Sequence, residues 1–282
     1  MIQVDQLRFR YPGAPADTLH GLSFDIAPGE IFGFLGPSGS GKSTTQKILY
    51  KLLDGYQGEV RIDGKSLRQW GKEFYEFIGV GFELPNHYAK LTARENLRFF
   101  GAFYSKKAYD PMELLARVGL ADDADKRVSD FSKGMKMRLN FVRALLHDPQ
   151  VLFLDEPTSG LDPVNARLIK DWILDLKGQS KTIFVTTHSM YDADTLCDRV
   201  ALIISGELMA MDRPEALKYQ YGQRKVRVQV DGESAPREFA LADLGQNDQF
   251  LAILQRNGIR TIHSEEATLE DVFIKITGTA LT

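Results

Sequence analysis

Short apolar runs recur along this chain of 282 residues, and the stretches between them are long enough for helices. Runs of this length are typical of strands buried on both faces, and they predict strands at 31–35, 151–156, 182–187 and 199–204. Residues 2–9 instead alternate between apolar and polar, which indicates a half-buried strand, and 22–26 predicts a second one. The resulting order of strands and helices predicts an α/β protein.

The strand pattern stops between about residues 92 and 146, where apolar residues recur at helical spacing. Thr92 and Glu95 form a capping-box pattern at the start of one helix, and further helices are predicted at 111–118 and 134–146. Beyond the apolar run at 199–204, which we expect to be the last strand of the sheet, the pattern changes again near residue 218. Strict alternation at 225–230, predicted strands at 237–241 and 259–263, and helices at 248–257 and after Thr268 indicate a small α+β unit.

Composition limits the class of protein. Charged residues make up 26% of the chain and the net charge is −3, which argues against nucleic-acid binding by bulk charge. Cys197 is the single cysteine, so no internal disulfide is possible and a reducing compartment is expected. The N-terminus lacks the pattern of a secretory signal, and no apolar run approaches the ~18 residues of a membrane span. We therefore expect a soluble cytoplasmic protein whose membrane role, if any, requires a separate partner.

A glycine-rich segment lies between the strand predicted at 31–35 and a helix predicted at 42–53. It fits the phosphate-binding loop pattern of Gly, four residues, then Gly-Lys-Ser/Thr. Its members are Gly36, Pro37, Ser38, Gly39, Ser40, Gly41, Lys42, Ser43 and Thr44. Glycines let backbone N–H groups curve around phosphates, and the helix N-terminus adds partial positive charge. We predict a nucleoside triphosphate here, with Lys42 on the β- and γ-phosphates and Ser43 on Mg²⁺.

Acidic and histidine side chains follow two other predicted strands. Asp155 and Glu156 end the strand predicted at 151–156, and His188 follows the run at 182–187. Ligands of parallel sheets gather at the carboxyl ends of the strands, so these side chains are expected near the phosphates. Asp155 is predicted to hold Mg²⁺, Glu156 to orient or deprotonate the attacking water, and His188 to contact the γ-phosphate. Tyr11, taken alone, is more typical of an ordinary strand-edge aromatic than of a base-stacking residue.

A fifth segment, Phe131-Ser132-Lys133-Gly134-Met135, opens the helix predicted at 134–146. With this segment, the chain resembles the nucleotide-binding subunits of ABC transporters. The resemblance rests on five motifs in chain order: the phosphate-binding loop, the segment 131–135, the Asp155-Glu156 pair, the segment 159–162 and His188. The resemblance covers about residues 1–217, and residues 269–273 add a weaker resemblance to the end of exporter-type ATPase subunits. It implies a P-loop NTPase core with a mostly parallel sheet and an antiparallel β subdomain, a helical subdomain at about 84–146, and a C-terminal extension at 218–282.

The resemblance also implies roles for individual residues. Residues 36–44 match Walker A, Asp155 and Glu156 match the Walker B aspartate and the catalytic base, and His188 matches the switch histidine. Tyr11 matches the aromatic residue that stacks on adenine. Further cofactor contacts are implied for Ser132, Lys133, Gly134 and Asp162, of which Ser132 and Gly134 match the signature motif that binds ATP held by the opposite subunit. The chain has no obvious arginine finger, and a helix N-terminus with a serine hydroxyl can supply the missing positive potential in trans.

Two departures from the family pattern leave questions open. The usual signature is Leu-Ser-Gly-Gly-Gln, whereas this chain has Lys133 and Met135 at the third and fifth places. Lys133 either adds a charge near the γ-phosphate or faces solvent. Glu83 stands where the family usually has the glutamine of the Q-loop. We expect Glu83 to contact the cofactor and Mg²⁺ and to keep the sensing role of that glutamine.

The function implied by the resemblance is ATP hydrolysis that drives export through a separate membrane permease. A second nucleotide-binding subunit is also implied, and we expect it to be a copy of this chain. No nucleic-acid partner is expected. The protein would lie at the cytoplasmic face of the membrane and be soluble when isolated. Segment 84–97 is implied to touch the permease; we expect Tyr88 to make contact and Phe100 and Phe103 to be buried. The alternative is a soluble ABC ATPase acting on ribosomes or DNA, but such proteins usually carry two cassettes or long coiled coils.

Overall fold

The computed structural model describes residues 1–106, 109–222, 224–256 and 258–278. The chain divides into two units, one over Met1–Met211 and a second from Asp212 onward. The strands of the first unit are β1 (Ile2–Phe9), β2 (Leu19–Ile26), β3 (Ile31–Leu35), β4 (Gln57–Ile62), β5 (Lys65–Ser66), β6 (Ile78–Gly81), β7 (Val151–Asp155), β8 (Thr182–Thr187), β9 (Arg199–Ile204) and β10 (Glu207–Asp212). Its helices are α1 (Lys42–Leu49), α2 (Phe74–Phe77), α3 (Ala93–Gly101), α4 (Pro111–Arg117), α5 (Lys133–Arg143), α6 (Pro163–Gly178) and α7 (Met190–Leu196).

A six-stranded sheet forms the centre of the first unit, in the order β10-β9-β3-β8-β7-β6. The five strands from β9 to β6 pair in parallel, and every residue of β3 and β8 is buried, as expected for strands covered on both faces. The α/β prediction is therefore confirmed. The expectation that 199–204 is the last strand was wrong. After a turn in which Ser205 and Gly206 both have positive φ, the chain returns as β10 at the edge of the sheet.

A second, antiparallel sheet has the order β2-β1-β4-β5. Along β1, buried and exposed residues alternate over much of the strand, and its apolar side joins a core that contains Phe24, Phe32 and Phe184. Between β4 and β6 the chain forms β5, a 3₁₀ turn at Leu67–Gln69 and the short α2 rather than one continuous helix. Trp70 explains the break: its indole N–H donates to the Ile62 carbonyl at 3.2 Å and its ring stacks on Phe77.

Helices α3, α4 and α5 form the inserted helical segment. The predicted capping box is present, because the Thr92 hydroxyl accepts from the Glu95 N–H at 3.1 Å and the Glu95 carboxylate accepts from the Thr92 N–H at 2.8 Å. Ser132 caps α5 in a similar way, accepting from the Met135 N–H at 3.2 Å. Phe103 is 70% exposed, so the expectation that it is buried was wrong; it lies beyond the end of α3 and packs on Phe99 at the surface.

The second unit contains α8 (Pro214–Tyr221), β11 (Lys225–Val230), β12 (Arg237–Ala240), α9 (Asp248–Gln255), β13 (Ile259–Glu265) and α10 (Leu269–Thr277). Its antiparallel sheet has the order β12-β11-β13, and one face packs on α9 through Val226, Val228, Phe239, Phe250 and Ile253. Thr268 and Asp271 form the capping box of α10. The helix predicted at 248–257 ends at Gln255, and Asn257 lies outside the described residues.

Candidate functional site

The site forms where three neighbouring strands of the central sheet end. Strand β8 lies between β3 and β7, with Thr187 beside Leu35 and Thr186 beside Asp155. The glycine-rich loop leaves β3, Glu156 follows β7, and His188 follows β8. The topology therefore brings together three segments that are distant in sequence, at the edge where parallel sheets bind ligands.

The glycine-rich loop requires glycine for two different reasons. A Cβ on Gly36 would lie 2.1 Å from the Ile203 carbonyl oxygen, so no side chain fits there. Gly41 has φ +107°, which residues with side chains rarely adopt, and it directly precedes α1. The loop is thus held close to β9 and turns its last residues into the start of a helix, which is the geometry that phosphate groups bind.

Lys42 is the first residue of α1 and is 8% exposed. Its ammonium donates to the carbonyl oxygens of Gly36 at 2.6 Å and Pro37 at 3.0 Å. Burial lowers the pKa of Lys42, and the carboxylates of Glu156, Asp155 and Glu83 act in the opposite direction. This ammonium is therefore placed among three acidic side chains, where it offsets their mutual repulsion and can meet a phosphate group.

Asp155 ends β7 on the inner side of the loop. Burial raises the pKa of the Asp155 carboxyl, against hydrogen bonds from Thr186 and Ser43 that lower it. No group of three or more His, Cys, Asp or Glu residues suited to hold a metal ion alone occurs among the described residues. One carboxylate and one hydroxyl fit Mg²⁺, which is commonly bound by one or two protein oxygens together with substrate phosphates and water.

Glu156 adopts a left-handed backbone with φ 50°, which is uncommon for a residue with a side chain and is often seen at functional sites. This conformation lets its carboxylate reach β8. One oxygen accepts from the His188 N–H at 2.9 Å and contacts His188 Nδ1 at 2.7 Å, and the other accepts from the Thr187 hydroxyl at 3.2 Å. The predicted base and the predicted switch histidine thus form a hydrogen-bonded pair.

The His188 ring is held at one end only. Its Nδ1 faces the Glu156 carboxylate, so Nδ1 carries the proton and donates. The side chain is 64% exposed, whereas that of Glu156 is 10% exposed. The far ring nitrogen, Nε2, is consequently available to a substrate, and protonation there would supply a second donor suited to a phosphate oxygen.

Tyr11 and Glu83 both lie within reach of the loop. The Tyr11 hydroxyl is 3.1 Å from the Thr44 hydroxyl, and its ring packs edge-on against Phe9 while remaining partly exposed. Glu83 is exposed and acts electrostatically on both Lys42 and Asp155. Base stacking by Tyr11 and metal contact by Glu83 stay predictions, and the positions of both residues are compatible with them.

Glu83→Gln is expected to retain most of the ATPase activity, because an amide oxygen can still contact Mg²⁺ and water without repelling the γ-phosphate. The measurement is the steady-state ATPase rate alongside ATP affinity. A matched control is Glu73→Gln, which removes an exposed carboxylate that pairs with Lys65. Near-complete loss of turnover with unchanged ATP affinity would contradict this expectation and assign the carboxylate a part in the chemistry.

The residues expected to bind a second ATP occupy a separate place. Ser132 caps α5, and Lys133 is exposed with its side chain across Gly160, where a Cβ would lie 2.9 Å from Lys133 Cε. Asp162 caps α6 by accepting from the N–H groups of Val164 and Asn165. Within the described part of the chain, no hydrogen bond or ion pair joins these residues to the loop at 36–44, Asp155 or Glu156. Their predicted contacts with nucleotide remain predictions.

Several polar residues around the site were not anticipated from the sequence. Thr187 holds Glu156, while Thr186 and the buried Gln46 lie behind Asp155. The signal available in the sequence was the pair of threonines directly before His188, since hydroxyls at the end of a buried strand need partners. Gln46 carried a weaker signal: it follows Lys42 by four residues and so shares its helix face.

Comparison with known proteins gives a consistent result. Residues 19–159 match the protein family described as ABC transporter, and residues 224–266 match the family described as Fluoroquinolone efflux ABC transporter C-terminal domain. A Mycobacterium tuberculosis protein named Fluoroquinolones export ATP-binding protein is 53% identical over 285 residues, covering 100% of this chain and 95% of its own. Nod factor export ATP-binding protein I of Paraburkholderia xenovorans is 35% identical over 298 residues, covering 98% and 97%.

Solved structures match the first unit's architecture. The dimeric structure of the ATP-binding cassette MJ0796 in a post-hydrolysis state, bound to ADP and Pi, has a TM-score of 0.69 at 27% identity. The match covers 76% of this chain and 98% of that one. A second structure, described as the ATP binding subunit of an ABC transporter, has a TM-score of 0.71 at 26% identity, over 79% of this chain and 93% of that one.

Proposed function

Because this chain belongs to the ABC transporter family of ATP-binding proteins, we propose that it powers export through a separate membrane subunit. The chain is an ATPase, as the cassettes of this family are. The observation that supports a full catalytic site is the Glu156–His188 pair beside the loop at 36–44. The proposal adds Mg²⁺, a dimer with two ATP molecules, and a membrane partner.

The proposed chemistry uses this chain's residues in defined roles. Lys42 and the N-terminus of α1 hold the triphosphate, Tyr11 stacks on the base, and Ser43 and Asp155 hold Mg²⁺, which neutralises phosphate charge when bound. Glu156 accepts the proton of the attacking water, and His188 contacts the γ-phosphate through Nε2 while Nδ1 keeps its bond to Glu156. Positive potential on the far side of the γ-phosphate is still required.

We propose that a second copy of this chain supplies that potential. Ser132 presents its hydroxyl at the N-terminus of α5, and this end of the helix packs on the 159–162 segment of the same chain. No described hydrogen bond or ion pair joins Ser132 to the phosphate-binding loop at 36–44 of its own chain. Two chains placed head to tail would each offer Ser132, Lys133 and Gly134 to the other's ATP, with Asp162 nearby. MJ0796 is itself described as dimeric with ADP and Pi, which supports this arrangement.

A separate membrane subunit is proposed because the function is export. No described helix combines the length and apolar character needed to cross a membrane. An aromatic cluster lies at the surface of the helical segment: Tyr88 packs on Phe99 at 4.7 Å between ring centroids, and Phe99 packs on Phe103 at 5.2 Å. Tyr88 is 50% exposed. An exposed cluster of this kind is typical of a binding surface, and we assign it to the membrane subunit.

The cargo is not a property of the residues described above. The two relatives name different cargoes, fluoroquinolones and Nod factor, and share the export ATP-binding role. We therefore propose the export role for this chain and assign the choice of cargo to the membrane subunit. In this proposal residues 1–217 are the cassette, 218–282 are an accessory domain, and the protein is held at the cytoplasmic face by its partner.

Co-purification tests the membrane partner. The tagged full-length protein, captured from its own cells in mild detergent, is expected to bring down a polytopic membrane protein. Phe103→Glu should abolish that capture while leaving the ATPase rate of the isolated protein unchanged. Leu174→Glu, at an exposed apolar residue of α6, is the matched control and should capture normally. Recovery of ribosomal RNA or DNA without a membrane protein would instead favour the soluble alternative.

A further inference from the structure

Behind Asp155 lies a small group of buried polar side chains that the proposed chemistry does not use. Thr186 is completely buried on β8, and its hydroxyl contacts the Asp155 carboxylate. Gln46, 1% exposed on α1, lies one turn after Lys42, and its side-chain oxygen is 3.4 Å from the same hydroxyl. The Gln46 amide nitrogen is buried and has no hydrogen-bond partner among the described residues.

The number of protons decides how this group is arranged. A threonine hydroxyl has one proton to donate, and the Gln46 oxygen, the Asp155 carboxylate and the more distant Leu154 carbonyl are all placed to accept it. An ionised carboxylate is the stronger acceptor, so the Thr186 proton goes to Asp155. The Thr186 oxygen is then left as an acceptor facing Gln46, which favours the amide nitrogen at that position.

Turning the Gln46 amide over satisfies this requirement. The oxygen and nitrogen of an amide are assigned from the hydrogen-bond network, and exchanging them puts an N–H donor 3.4 Å from the Thr186 oxygen. After the exchange, the Gln46 oxygen occupies the position that has no hydrogen-bond partner, in place of the amide nitrogen with its two N–H donors. The three residues then form a directed chain in which Gln46 donates to Thr186 and Thr186 donates to Asp155.

We propose that Gln46 and Thr186 are positioning residues that fix the Asp155 carboxylate for Mg²⁺. This inference rests on the proposed role of Asp155 as a metal ligand. Residues that hydrogen-bond to metal ligands orient them, and their loss typically lowers metal affinity about 10- to 100-fold. The chain also joins two elements of the site, because Gln46 belongs to the helix that begins with Lys42 and Ser43. The Asp155 carboxylate, the Ser43 hydroxyl and the Lys42 ammonium are thereby held in fixed positions relative to one another.

The test measures metal affinity directly, with Mn²⁺ as the probe, by electron paramagnetic resonance titration of the full-length protein with bound ADP. Thr186→Val is expected to weaken Mn²⁺ binding about 10-fold. Thr186→Ser, which keeps the hydroxyl, should bind Mn²⁺ like the wild type. The affinity for ADP in EDTA, measured with a fluorescent analogue, should be unchanged in both variants, because no phosphate contact is removed.

Thr182→Val is the matched control. Thr182 is also buried on β8, but its hydroxyl accepts from the Gly29 N–H at 3.0 Å at the other end of the strand. Wild-type Mn²⁺ affinity in Thr186→Val, or an equal loss in Thr182→Val, would overturn the inference. If Thr186→Val does not fold, Gln46→Leu tests the same chain from its other end, with weaker Mn²⁺ binding expected and an unchanged value overturning it. Absence of nucleotide-dependent Mn²⁺ binding in the wild type would remove the proposed metal site itself.

Discussion

Glu156→Gln is expected to lower the rate of ATP hydrolysis by about 10³-fold, within the range that general-base catalysis contributes. The amide has the shape of the carboxylate: its oxygen can still accept from the His188 N–H, and its N–H can donate to the Thr187 oxygen, so the site should keep its geometry. It cannot accept a proton from water. ATP binding is expected to persist, because Lys42, Ser43 and Asp155 are untouched.

The same variant tests the proposed dimer. With ATP and Mg²⁺, two chains that cannot hydrolyse the nucleotide between them should stay together, and sedimentation velocity should show a dimer that disappears when ATP is omitted. Glu59→Gln, which removes a partly exposed carboxylate paired with Arg68, is the control and should hydrolyse ATP normally. A Glu156→Gln protein that remains monomeric at high concentration and turns over at the wild-type rate would refute both the base assignment and the dimer.

Lys42→Met and Ser132→Arg are each expected to abolish ATPase activity alone and to restore it when the two proteins are mixed. Lys42→Met removes the phosphate-binding ammonium and leaves Asp155, Glu156 and Glu83 without the cation that offsets their repulsion. Ser132→Arg removes the hydroxyl at the start of α5 and fills the space in front of it. If each site uses Lys42 from one chain and Ser132 from the other, a mixed dimer contains one intact site.

The expected size of the recovery follows from the symmetry of the pair. In an equimolar mixture half of the dimers are mixed, each with one intact site of two, so about a quarter of the wild-type rate is expected. Lys42→Met mixed with Glu156→Gln is the matched control, because both changes damage the same half of a site and every mixed dimer stays defective. Failure of the first mixture to recover, although its chains still dimerise, would place a complete site within one chain.

The loop at 36–44, the Asp155-Glu156 pair and His188 could be located from sequence because each follows a strand whose apolar run is unambiguous. Their spatial meeting then follows from parallel pairing. The strand β10 was missed because its exposed and half-buried residues give no continuous apolar run. The exposure of Phe103 was also not predictable, since i, i+3 spacing indicates a shared face only while the helix continues, and α3 ends at Gly101.

The contacts of Glu156 were beyond what sequence could give. Neighbouring residues in a strand normally point to opposite faces, and the turn of Glu156 toward β8 depends on its left-handed backbone, which no local pattern signalled. The sequence does not decide between the two alternatives for Lys133 for a related reason. Its direction is set by Gly160, a residue distant in sequence whose lack of a side chain makes room for it.

The hydrogen bonds of Glu156 affect how much ATP the protein hydrolyses when no transport is under way. Both carboxylate oxygens are already occupied, one by the Thr187 hydroxyl and the other by the N–H and the ring of His188, so an attacking water must compete with these donors for the base. Under the proposed dimer mechanism, a cassette without its partner would therefore consume little of the ATP that surrounds it. Contact of His188 Nε2 with a γ-phosphate would hold the base beside its substrate through the retained Nδ1 bond, and Ser132 of the second copy would complete the site, so that nucleotide is spent mainly in the closed assembly.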